Sequence, residues 1–185
     1  MKLRVVLSLI LLIVFAGFIM GCNGQTNATN DQPPLEPYED ESELITDEVV
    51  LYFSDDQAMY LVPEKRMVTG KKNGKYPFPA GAIVLELIQG PKSEELRPTI
   101  PPETRLLAID IVNGIAKVDF TEEFRTKHWG GTTGETMTIL SIVNSLTELE
   151  EIEKVKLLIG GEQIDTLAGH WYLGEPIQRD ESIIK

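Results

Sequence analysis

The chain has 185 residues, 17 Lys and Arg against 29 Asp and Glu for a formal charge of −12, one cysteine and two histidines. That length holds one ordinary domain with extensions and excludes two large ones. The acidic balance argues against a groove that tracks nucleic-acid phosphates. A single cysteine excludes an internal disulfide and any Cys-rich zinc site, and only His128 and His170 remain for imidazole chemistry.

Lys2 and Arg4 precede an uncharged run over residues 5–20, the pattern of a secretory signal. At about 1.5 Å per residue the run reaches roughly 24 Å, short of the roughly 30 Å hydrocarbon core that a spanning helix must cross. It ends in Ile19-Met20-Gly21-Cys22, which resembles the bacterial lipobox. The resemblance implies a signal peptide over residues 1–21 and lipidation of Cys22, with palmitate among its acyl chains, on the extracytoplasmic face of the cell membrane. Two or three such chains hold a protein firmly, since each buried CH₂ contributes about 0.8 kcal/mol. Residues 22–47 then read as a lipidated, disordered tether. They are rich in Asn, Thr, Pro, Gln and acids, carry Pro33, Pro34 and Pro37, and show no periodic apolar face. A flexible chain of this length reaches about 25 to 30 Å. Asn27-Ala28-Thr29 fits a glycosylation sequon, a reading that a bacterial lipoprotein does not favour.

A single domain is expected over residues 48–185. Val49, Leu51 and Phe53 alternate with Val50 and Tyr52, a strand apolar on both faces and so either central in its sheet or covered twice. Residues 54–57 give a turn, 59–62 a second short strand, and 69–75 a mobile surface loop. The spacing of Ile83, Val84, Leu87 and Ile88 predicts a helix over 80–89, stopped by Gly90-Pro91. Asn113-Gly114 joins strands over 106–112 and 115–120 as a two-residue hairpin, because both turn positions need φ > 0. Pairing Val112 with Ile115 sets Ile111 against Ala116, Ile109 against Val118, Leu107 against Phe120, and Asp110 against Lys117 on the other face. Thr132 and Glu135 have capping-box spacing and open a helix to about residue 149, with Met137, Leu140, Val143 and Leu146 along its apolar side. Glu148, Glu150 and Glu151 crowd the negative end of that helix, with Lys154 and Lys156 placed to offset them. A strand through Val155, Leu157 and Ile159 and one or two edge strands over 163–173 complete an α+β fold. Two helices pack on one face of a mixed sheet, in a split β-α-β arrangement.

The sequence offers few candidates for chemistry. Asp55-Asp56 lacks the spaced acids, glycine and terminal glutamate of a calcium loop and reads as a turn. Asp119, Glu122 and Glu123 could supply the carboxylate pair of a glycosidase, yet Thr121, Glu122 and Glu123 also suit a helix start. Neither histidine sits in a hydrolase motif, and the run from Gly130 to Gly134 lacks the Lys-Ser/Thr of a phosphate loop. Trp129, Trp171, Tyr172 and Tyr60 remain as binding aromatics or core. No catalytic residue, cofactor or metal site is expected.

Val50-Leu51-Tyr52-Phe53, Tyr60-Leu61-Val62-Pro63-Glu64, Leu87-Ile88-Gln89-Gly90-Pro91, Ile100-Pro101, Ile115-Ala116-Lys117-Val118-Asp119-Phe120 and the Gly130 to Glu135 helix entry together resemble the GerMN domain. The resemblance spans about residues 48–177. It implies a fold similar to ring-building modules of secretion-like and sporulation complexes, small α/β units that associate through their surfaces without a catalytic residue. The expected function is a membrane-anchored lipoprotein that docks on other envelope or sporulation-complex proteins, binds no nucleic acid and is able to self-associate. The alternative is a cell-wall glycan module or weak hydrolase using the acids beside Trp129.

Overall fold

A computed structural model describes residues 43–185. The lipobox with Cys22, and the tether as far as residue 42, lie outside the described residues. The fold is α+β with a mixed sheet, as expected, but its strands divide between two sheets.

The first sheet is a ribbon of two antiparallel strands, β1 (Leu44–Ser54) and β2 (Leu61–Lys71), in unbroken register from Leu44 opposite Lys71 to Ser54 opposite Leu61. Strand β1 therefore starts four residues inside the expected tether. Strand β2 is far longer than the expected 59–62 and absorbs Thr69–Lys71 from the expected loop. The alternation in β2 is hidden because Arg66 holds an inward position and is only 4% exposed. Its guanidinium bonds Glu64 Oε1 at 2.5 Å, Glu86 Oε2 at 2.6 Å and Gly90 O at 2.7 Å, and lies 5.2 Å from the Phe53 ring centre. A charged side chain thus does what an apolar one does elsewhere, and a hydrophobicity pattern cannot see it.

The second sheet has five strands: β3 (Leu106–Val112), β4 (Ile115–Phe120), β5 (Lys154–Ile159), β6 (Glu162–Gln163) and β7 (Ile177–Gln178). Its order is β3-β4-β5-β6, with β7 also paired to β5. The hairpin turn takes the left-handed backbone expected, with Asn113 at φ 50° and Gly114 at φ 76°. The register holds from Val112–Ile115 to Ile109–Val118 and keeps Asp110 opposite Lys117. It then slips by one residue, so Leu106 and not Leu107 faces Phe120. Leu106 is buried and Leu107 is 41% exposed, the consequence of an extra residue in one strand. Strands β4 and β5 run parallel, and the chain between them forms the crossover helix. Residues 163–173 are not the edge strands expected. Among the described residues after β5, the pairs in β6 and β7 bond to it, and of these Gln163 alone falls in that range.

Helix α1 (Ala80–Gln89) has the predicted bounds and buries Ala80, Gly81, Ile83, Val84 and Leu87. A single turn, α2 (Glu123–Thr126), follows β4. The crossover helix α3 (Thr132–Leu146) ends three residues before its expected end. Helices α1 and α3 pack on one another, and each touches both sheets. Eleven of the fifteen residues of α3 are buried, so it has no solvent stripe of the usual kind. The main core joins Leu51, Phe53, Ile83, Val118, Phe120 and Ile139, and a smaller cluster of Tyr52, Leu61, Met137 and Leu140 covers the other face of β1. Strand β1 is not central, since its sheet has two strands; it is covered twice, by the main core and by the smaller cluster, to which α3, Leu61 and the C-terminal Ile183 and Ile184 contribute.

Candidate functional site

A helix buried on nearly every side must bury polar groups as well, and each needs a partner. Thr138, Ser141 and Ser145 recur at i, i+3 and i+7, one line along α3. Ser141 Oγ donates to Tyr52 O at 2.6 Å, and Tyr52 N donates to Ser145 Oγ at 2.9 Å. These two bonds replace a neighbouring strand along the free edge of β1. They also explain how Pro63 sits opposite Tyr52 in β2: Tyr52 turns its backbone toward α3, so no ladder bond is lost at proline. Thr138 Oγ1 donates to Thr99 O at 2.5 Å, and the Thr99 and Ser141 hydroxyls lie 2.7 Å apart.

At the start of α3 the capping box is not formed. Gly131 is the N-cap and makes no side-chain bond. Glu135 is fully buried and turns away from that cap. Its carboxylate accepts from the backbone N–H of Leu167 and Ala168 at 3.0 Å and of His170 at 2.9 Å. Burial alone would raise its pKa, but these backbone donors and that of Trp171 hold it below the usual carboxylate range. His170 Nδ1 lies 3.2 Å from Glu135 Oε2, and Trp171 Nε1 donates to Thr136 Oγ1 at 2.9 Å. The two residues that sequence offered separately for chemistry and binding are thus the clasp of one loop on one helix.

His128 belongs to a second chain of bonds. Gly130 N donates to its Nδ1 at 2.9 Å, which leaves Nε2 as the protonated nitrogen facing Thr138 Oγ1 at 3.0 Å. Burial lowers its pKa, which favours this neutral tautomer. The neighbouring Trp129 is 56% exposed and lines a pocket of about 150 Å³ with Asp55, Asp56, Arg97, Met137 and Thr138. Tyr172 and Tyr60 are also exposed, whereas Trp171 packs against the core.

The acids nominated for catalysis do not converge there. Asp119 Oδ1 accepts from Gly161 N at 2.9 Å, closing the turn after β5. Glu122 pairs with Arg125 at 2.9 Å on the surface. Glu123 is held below its ordinary pKa first by a hydrogen bond from Thr121 and then by its own backbone N–H, as a helix start requires. None of the three lines the pocket beneath Trp129. Asp55 Oδ1 accepts from Met59 and Tyr60 N, an ordinary turn. Among the described residues no group of three or more His, Cys, Asp or Glu is placed to share a metal ion.

The neutralisation of Glu148 and the place of Lys156 also differ from expectation. Glu148 is neutralised by Arg179 at 2.7 Å and accepts from the Tyr52 hydroxyl at 2.7 Å. Lys156 is buried, and its Nζ donates to Leu173 O at 3.0 Å and to Gly174 O.

A family model for Germane, described as sporulation and spore germination, matches residues 50–165. The chain belongs to the Germane family. Three solved structures share the fold of its domain. The tandem GerMN domains of the sporulation protein GerM from Bacillus subtilis are 26% identical with a TM-score of 0.55, over 74% of this chain and 46% of that one. The first GerMN domain of the same protein is 26% identical with a TM-score of 0.52, over 72% of this chain and 96% of that one. A Clostridium perfringens chain named "Putative Lipoprotein" is 24% identical with a TM-score of 0.52, over 74% of this chain and 89% of that one. This chain therefore spans about half of the tandem and nearly all of a single domain. No curated protein matches it.

The Germane match ends at residue 165, and the segment clasped by Glu135, Asn144 and Lys156 lies after it. Asn144 Nδ2 donates to Asp180 O at 2.8 Å, and Asp180 N donates back to Asn144 Oδ1 at 3.1 Å. Glu135 and Lys156 stand out in the sequence for other roles, and Asn144 and the serine line do not stand out at all. The available signal was the run of small polar residues inside an otherwise apolar helix: Thr136, Thr138, Ser141, Asn144 and Ser145.

Proposed function

We propose that this chain is a lipoprotein fixed to the extracytoplasmic face of a bacterial membrane through Cys22, and that its Germane domain is a non-catalytic module that docks on other envelope proteins in sporulation or germination. One observation carries the reading. All but one of the side chains nominated for chemistry have structural partners: Asp55 and Asp119 hold turns, Glu122 pairs with Arg125, Glu123 starts α2, and His128 and His170 brace α3 and its loop, while Asp56 lines the pocket with Trp129. The family match and the likeness to GerMN domains support the setting. The lipobox supports the anchor.

Two measurements test it. Metabolic labelling with a radioactive fatty acid marks the wild-type protein and not Cys22→Ala; equal labelling of both would refute the anchor. Crosslinking in intact sporulating cells recovers defined envelope partners that depend on the surface of residues 43–185, and recovery of none at any growth stage would refute docking. A second reading, binding to cell-wall glycan, is favoured by the exposed Trp129 over its pocket. Co-sedimentation with peptidoglycan that is lost in Trp129→Ala selects it; equal sedimentation of both proteins removes it.

A further inference from the structure

In a chain with a net charge of −12, residues 65–75 hold Lys65, Arg66, Lys71, Lys72 and Lys75 and no acidic residue. Arg66 is buried and bonded to Glu64 and Glu86, which leaves four lysines at the surface. The pleat fixes where they point. Lys65, Met67, Thr69 and Lys71 are exposed while Arg66 and Val68 are buried, so the first four share the outward face of the ribbon. Their partners across the register are Val50, Glu48, Thr46 and Leu44. That face thus carries Leu44, 67% exposed, and Met67, 65% exposed, among lysines. Glu48 and Glu43 temper the charge through pairs with Lys65 at 2.9 Å and Lys72 at 3.7 Å, both between exposed side chains and so weak. Asp47 lies on the opposite pleat.

Beside the ribbon end is a pocket of about 220 Å³ between β2 and α1, lined by Tyr76, Phe78, Ala82 and Leu85 with Lys71 and Lys75. The Phe78 ring lies on Gly70, where a Cβ would stand 2.5 Å from it. Lys75 Nζ sits 4.7 Å from the Tyr76 ring centre. Apolar surface flanked by ammonium groups is the chemistry of a headgroup boundary: anionic phosphates meet the lysines and the apolar side chains enter the layer beneath.

Covalent connectivity says which surface meets it. The chain from Cys22 enters the domain at Glu43 and Leu44, at this same end of the ribbon, beside Lys71 and Lys72. The expected r.m.s. reach of the 22 residues from Cys22 to Glu43, about 23 to 28 Å, is shorter than the roughly 40 Å breadth of a domain this size. On the anchored reading above, on which this inference rests, the ribbon end is the part of the domain held nearest the bilayer. We infer that the Lys65–Lys75 end of the β1–β2 ribbon, with Leu44 and Met67, rests on an anionic lipid surface and orients the domain so that the pocket under Trp129 is left for partners.

The test uses the lipidated mature protein reconstituted into vesicles. Because Cys22 is the sole cysteine and is acylated, a cysteine introduced at Met67 or at Leu107, on the other sheet, can be labelled alone with an environment-sensitive fluorophore. With phosphatidylglycerol in the vesicles and a quencher on the lipid, quenching at Met67→Cys exceeds that at Leu107→Cys by about threefold or more. The excess disappears in pure phosphatidylcholine, in high salt, and when Lys65, Lys71, Lys72 and Lys75 are all changed to Gln. Equal quenching at both sites while the protein still floats with the vesicles overturns the orientation and leaves the anchor standing. Excess quenching that ignores phosphatidylglycerol and the four lysines overturns the charge recognition. Failure to float overturns the anchor and this inference with it.

Discussion

The β3–β4 hairpin and the segment after residue 165 are built on opposite principles. The hairpin is local: two strands, an Asn-Gly turn and a row of apolar pairs, all within fifteen residues. The later segment has one short strand, β7, and places Leu167 and Leu173 in the core, but its backbone is fastened by buried polar groups from distant elements: Glu135 and Asn144 on α3, and Lys156 on β5. A contact made by periodicity can be read from spacing, whereas one made by a single charged side chain cannot. The two kinds of contact also fail differently.

The largest effect is expected at Glu135. Glu135→Ala leaves the N–H groups of Leu167, Ala168 and His170 without their acceptor and should cost about 3 to 5 kcal/mol. Hydrogen exchange should quicken at residues 167–171 while the hairpin amides keep their protection; uniform loss across the chain would break the distinction. Acid reaches the same group. Because the folded carboxylate pKa is lowered, its contribution is complete above the unfolded value of about 4.3 and is lost as pH falls through the folded value. His128 adds to this from a higher pH. Its folded pKa is lowered too, so the stability of its neutral form is present above about 6.5 and lost as pH falls through the folded value. Thermal melting points measured down the acid range should therefore drop less in His128→Gln than in the wild type.

The hairpin supplies the middle of the range. Leu106→Ala should cost about 2 to 4 kcal/mol, because Leu106 is the residue facing Phe120. Gly114→Ala should cost about 1 to 2 kcal/mol, since φ is 76° there and an added Cβ would approach the Glu153 side chain to 3.3 Å. Leu107→Ser is the smallest, within about 0.5 kcal/mol, as expected for a side chain outside the core. Urea denaturation of the three variants decides whether the bulge is where the register places it. Leu107 costing more than Leu106 would return the unbulged pairing.

The same contrast explains what was legible. Helix α1, the hairpin turn, the charged pair Asp110–Lys117 and the strand β5 follow from apolar spacing and turn chemistry, which act over a few residues. The bulge at Leu107 was not legible, because both adjacent residues are leucine and either could face inward. The length of β2 was hidden by Arg66, buried through ion pairs with Glu64 and Glu86 that only the fold brings together. Thr132 and Glu135 had the spacing of a capping box, but local spacing does not reveal a loop thirty residues later that competes for the carboxylate. Of the candidate site, the exposure of Trp129 and the core packing of Trp171 depended on tertiary placement in the same way.

If the acids and histidines that look chemical serve the fold, as proposed above, the domain releases nothing from cell-wall glycan. The most direct measurement is to incubate the mature protein with purified peptidoglycan and follow soluble fragments by chromatography. No release above that of a heat-inactivated control is expected, with Glu122→Gln and His128→Gln indistinguishable from the wild type. Sustained release that a single one of these replacements abolishes, while the protein remains folded, would contradict it.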